Sequence, residues 1–135
     1  VTDSRKIAPA GWRVATSADW STLINDMGGQ NVAGNKLKKA GTEQWNEPGS
    51  VATNESGFTA LPGGSGNGNG FFSTMGELGT WWCSDESDSD IGVTTFMANE
   101  EAFAYIPISL KDAGNSVRCI SFFIKPWQFY FLCME

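Results

Sequence analysis

Histidine, the most versatile catalytic side chain, is absent from all 135 residues of this chain. Without an imidazole, Ser-His-Asp and Cys-His nucleophiles, imidazole bases and the common zinc sites are out of reach. Cys83, Cys119 and Cys133 lie far apart with no C-x-x-C pair, so a cysteine-only metal site is not expected either. Their odd number leaves two readings open: three buried small hydrophobes, or one disulfide plus a leftover thiol. Carboxylate chemistry survives, because glycoside hydrolysis needs only two acids at a set separation. Glu43, Glu47, Glu55 and Glu77 sit in turn-like polar surroundings, however, and read as solvated surface. The densest acidic run, Asp85-Glu86-Ser87-Asp88-Ser89-Asp90, raises a calcium site, since hard cations take several oxygen ligands. Its spacing departs from the EF-hand loop, with no Gly after three alternating acids and no closing Glu. It reads as an acidic solvated loop, and the expectation is of no catalytic residue, no metal and no cofactor.

Six tryptophans offer a route to function by binding, because aromatic faces stack on sugar rings and anchor protein interfaces. Trp12 and Trp20 belong with the first helix. Adjacent Trp81 and Trp82 must point to opposite faces of a strand, so one of them faces outward. We place Trp81 among the contact candidates.

Such side chains need a scaffold to position them. The chain has 14.6 kDa of mass and 41% hydrophobic residues, which suits one compact domain with a core of its own. A net charge of -6 and a pI near 4.5 argue against nucleic acid and anionic membranes as partners. No signal peptide is visible at the start, and one could have been removed; the longest apolar stretch is too short to span a bilayer. Thr16 or Ser17 is a good N-cap, and Trp20, Leu23, Ile24 and Met27 recur at helical spacing until Gly28-Gly29. A second short helix is expected over 32–39, with Val32, Ala33 and Leu37 inward and Lys36, Lys38 and Lys39 in solvent. Strands are expected at 58–61, 80–84, 93–98, 102–109 and 116–123. The glycine-rich run 63–70 reads as a flexible surface loop, not a phosphate cradle, for it lacks a Lys-Ser/Thr pair and a following helix. Helices first and short strands afterwards describe an α+β domain: one main and one short helix packed on antiparallel strands with long loops.

In order and spacing, Ile7-Ala8-Pro9-Ala10-Gly11-Trp12-Arg13-Val14, Thr16-Ser17-Ala18-Asp19-Trp20, Gly28-Gly29 and Ala33-Gly34-Asn35-Lys36-Leu37-Lys38 resemble the Fibrobacter succinogenes major paralogous domain family. So do Thr53-Asn54-Glu55-Ser56-Gly57-Phe58-Thr59-Ala60-Leu61-Pro62, Gly79-Thr80-Trp81-Trp82 and Ser116-Val117-Arg118-Cys119. The resemblance implies a C-type-lectin-like fold over residues 1–120, related to the formylglycine-generating enzymes but without their reactive cysteine pair. It also implies secreted or cell-surface bacterial proteins, with no settled activity. Family members often carry Cys where this chain has Ala8, which leaves Cys83 or Cys133 as substitute partners for Cys119. They also usually carry a longer preceding segment, which raises either an uncovered strand edge or a contribution from another chain.

Variable proteins of the same lectin-like fold place their ligand contacts in the late region. By that resemblance Asp85, Asp88, Asp90, Thr94, Phe96, Asn99, Phe103 and Tyr105 join Trp81 as binding-face candidates. The apolar extension 121–135 departs from the family pattern. Burying large aromatics is worth about 1.5 to 3 kcal/mol each, so exposed ones would favour association. Phe123, Trp127, Phe129 and Phe131 are therefore candidates for self-association, either closing this domain or adding to a neighbour's sheet. The sequence reading is a non-catalytic binding domain for a protein or carbohydrate ligand. The alternatives are a self-assembling subunit and a carboxylate-based glycan hydrolase.

Overall fold

The computed structural model describes residues 7–46, 51–122 and 131–133. After a short strand β1 (Trp12–Val14), helix α1 runs over Ser17–Asp26 and α2 over Gln30–Leu37. Thr16 is the N-cap of α1 in a complete capping box: its hydroxyl accepts the Asp19 N–H, and the Asp19 carboxylate accepts the Thr16 N–H at 2.7 Å. Arg13 locks that carboxylate from the other side at 2.8 Å. Asp85, far along the chain, accepts the Ser17 N–H and supplies a second anion to the same helix terminus. Trp20, Leu23 and Ile24 are buried as the spacing predicts, and Gly28 and Gly29 at φ +99° and +94° make the turn that ends the element.

The second helix starts and stops two residues earlier than its expected span. Ala33 and Leu37 are buried as expected, but Val32, which lies well around the helix from Leu37, is exposed. Lys38 leaves the helix in an extended conformation, forms a parallel bridge with Ala60, and is 1% exposed instead of solvated. Gly34 lets α2 lie flush on residues 102–104, because a Cβ there would stand 2.2 Å from the Phe103 carbonyl oxygen.

The glycine-rich run is not loose. It forms β2 (Ser65–Gly66), paired with β3 (Phe72–Ser73), and Gly66 also bridges to Gly114. The main sheet contains β4 (Leu78–Glu86), β5 (Ile91–Ala98), β6 (Ile108–Leu110) and β7 (Ser116–Ser121), in the order β1-β7-β4-β5-β6. It is mixed, not antiparallel, since β7 returns to the far side of β4 through a crossover and pairs with it in parallel. Of the other expected strands, 58–61 keeps only the Ala60 bridge. The span 102–109 keeps a bridge at Tyr105 and the start of β6. Strand β8 (Phe131–Cys133) pairs with β7, which adds part of the C-terminal stretch to this chain's own sheet. Phe123, Trp127, Phe129 and the side chain of Phe131 lie outside the described residues.

The core sits between the helices and one face of the sheet. Trp20 is at its centre, 5.3 Å from the Phe58 ring and 5.7 Å from Trp81. Arg118 lies over the other side of Phe58 at 4.9 Å. No described helix is long and apolar enough to cross a membrane.

Candidate functional site

Strands β4 and β5 form a hairpin whose two ends differ. At its closed end, residues 87–90 make a turn held by Asp88, whose Oδ1 accepts the backbone N–H of Asp90 at 2.8 Å and of Ile91 at 2.9 Å. Lys111, just past β6, donates to the carbonyls of Asp88 and Ser89 at 2.9 and 3.0 Å and pairs with Glu86 at 3.1 Å. Among the described residues no cluster suited to a metal ion occurs.

At the open end, Leu78 of β4 pairs with Ala98 of β5, and the chain turns through 99–101 before running back beside Phe96. A groove of about 550 Å³ opens there. One wall is aromatic: Tyr105 stacks on Phe96 with ring centres 6.3 Å apart, and Phe103 lies 5.3 Å beyond Tyr105. The rim carries the exposed side chains Glu77, Glu100 and Glu101, with Asn46 at one end. Asn99 braces the floor, donating its amide to the Asn46 carbonyl at 3.1 Å and its backbone N–H to Glu77 at 2.8 Å.

Behind that wall stands Lys38. Its ammonium donates to the carbonyls of Ala98 at 2.9 Å, Glu101 at 2.7 Å and Asn99 at 3.4 Å, and it sits 5.3 Å from the Trp45 ring centre. Burial draws its pKa down to about 8, against the pull of the Glu101 charge. At about 8 the group still carries its proton near neutrality, and its hydrogen bonds to the three carbonyls fix the loop that shapes the groove.

Of the residues singled out by sequence, the structure brings Phe96, Asn99, Phe103 and Tyr105 together at the open end. Asp88 and Asp90 lie at the opposite end, where Asp88 holds the turn, and Asp85 is spent on the α1 terminus. Two expectations are corrected. Trp81 is buried in the core, because the helices cover its face of the sheet, and half-buried Trp82 is the one turned away, its ring over Gly92. Thr94 is 1% exposed, with its hydroxyl donating to the Pro107 carbonyl at 3.2 Å, so it offers nothing to a ligand. Sequence reasoning passed over Glu100, Glu101 and Asn46 and set Glu77 aside as solvated. No local signal marks them, since only the β4–β5 register and the turn after β5 make them neighbours.

Cys83 and Cys119 are buried free thiols. Desolvation raises both pKa values, that of Cys83 to about 11 despite a contact with Thr95, so neither presents a reactive thiolate.

No curated protein and no solved structure matches the chain. One family model does, over residues 1–121, a span that includes both helices, strands β1 to β7 and every residue of the groove. This protein belongs to the Fibrobacter succinogenes major domain family.

Proposed function

We propose that this chain is a secreted or cell-surface, non-catalytic binding domain with a C-type-lectin-like scaffold, which seats a protein or carbohydrate ligand in the groove at the open end of the β4–β5 hairpin. One observation carries the reading: a stacked aromatic pair, Phe96 and Tyr105, and exposed carboxylates share one concave site of about 550 Å³ at the end of the hairpin. Tyr105, 37% exposed, is the contact residue, with Phe96 and Phe103 buttressing its ring. Hydrolysis fits the same groove less well. Glu77, Glu100 and Glu101 are all exposed, whereas an acid catalyst in glycoside cleavage works from a desolvated setting.

A protein and glycan array should yield a ligand. Replacing Tyr105 with Ala should weaken it by about 1 to 2 kcal/mol, roughly five- to thirtyfold, while the fold stays intact. An array ligand whose affinity is indifferent to Tyr105→Ala would sink the assignment of this groove.

A further inference from the structure

We infer that the occupant of the groove is a basic side chain, arginine or lysine, carried by a partner protein; this rests on the binding reading above. The groove is rich in acceptors and poor in donors. Three glutamates line it, and the Asn99 amide is already committed to the Asn46 carbonyl. Tyr105 and Asn46 are left as side-chain donors. A sugar hydroxyl both donates and accepts, so it would leave many of these acceptors idle; a guanidinium or ammonium only donates. The aromatic wall fits the same occupant, since a cation is attracted to the face of a Tyr or Phe ring. No Lys or Arg lines the groove, and Glu77 and Glu100 form no ion pair with a described residue. Lys38 sits behind the wall, where its ammonium donates to carbonyls and feels the Glu101 charge. The closed end of the same hairpin shows the complementary arrangement: there the fold supplies Lys111 to the Glu86 carboxylate. At the open end Glu77 and Glu100 have no such ion pair among the described residues, and a net charge of -6 steers a cation in.

The test is an amide-resolved NMR titration of the full chain with three probes: an end-blocked peptide of alternating glycine and arginine, the same peptide with neutral citrulline for arginine, and a cellulose oligosaccharide. The arginine peptide should shift the amides of Leu78, Ala98, Glu100 and Tyr105, and the citrulline peptide should bind about tenfold more weakly or not at all. The pair Glu77→Gln and Glu100→Gln, both exposed and neutral to folding, should weaken the arginine peptide by about tenfold, and Asp88→Asn with Asp90→Asn should not. Equal binding of the two peptides, shifts confined to residues 86–90, or indifference to the glutamine pair would each overturn the inference. Groove shifts from the oligosaccharide alone would also overturn it but leave the binding domain standing. A groove silent to all probes, with an array ligand unaffected by Tyr105→Ala, would remove both.

Discussion

The two ends of the β4–β5 hairpin are built from the same chemistry, acids beside a lysine, and arrive at opposite outcomes. At the closed end Lys111 reaches over the turn from outside, its side chain 33% exposed, and uses up the carbonyls of Asp88 and Ser89 together with the Glu86 carboxylate. At the open end Lys38 comes from behind, through the core, donates to three backbone carbonyls and feels the Glu101 charge, while Glu77 and Glu100 stay exposed. The position of the cation, not the number of acids, decides which acidic side chains are tied into the fold and which stay exposed. An acidic run read from sequence therefore says little until its cation has been located.

Removing the two lysines gives the sharpest contrast. Lys38→Ala should cost about 3 kcal/mol, since it removes a buried side chain, leaves three carbonyls without their donor and opens a cavity beside Trp45. Lys111→Ala should cost less than about 1 kcal/mol, because its partners turn to water. Equal losses in urea unfolding would erase the distinction between the two ends.

Next in size is Gly34→Ala. Alanine in place of glycine within a helix ordinarily gains about 1 kcal/mol. Here the methyl group would meet the Phe103 and Ala102 carbonyls, so a net loss of about 2 kcal/mol is expected, with Tyr105 displaced and ligand affinity falling too. A variant as stable as the parent would mean that α2 does not set the aromatic wall.

Asp19 calibrates an acid fully used by the fold near the closed end. The hydrogen bond from Arg13, followed by those from Thr16, holds its pKa at about 2 instead of 3.8, against the opposing effect of burial. A depressed folded-state value means stability present above pH 3.8 and lost as the pH falls toward 2. Asp19→Ala should thus cost about 1 kcal/mol at neutral pH, and the gap to the parent should close across that acid window. The smallest effect belongs to Asp88→Asn, less than about 1 kcal/mol with ligand binding unchanged. A fall in affinity there would shift the functional surface to the closed end.

Much of the scaffold was legible in advance. The capping residues and apolar stripe of α1 predict that element closely, and β4, β5 and β7 fall on their expected apolar runs, because period and capping are local properties. The aromatic members of the groove were also named, although with Trp81, Thr94, Asp85 and Asp88, which the fold uses elsewhere, and Asp90, at the far end of the hairpin. The failures share one cause. Whether Val32 faces the core depends on which side of α2 packs inward, whether Lys38 does depends on where α2 stops, and whether Trp81 or Trp82 is buried depends on which face of the sheet the helices cover.

By itself the sequence determined that this chain offers no imidazole chemistry, that a capped helical segment precedes a strand-rich segment, and that aromatic and acidic side chains are frequent in its late region. Tertiary structure alone decided which acids have a cation and which do not. Charge is written residue by residue, but its neutralisation runs through contacts across 60 or more positions of separation, as from Lys38 to the loop after β5. Those contacts exist only once the strands are in register and the helices are in place.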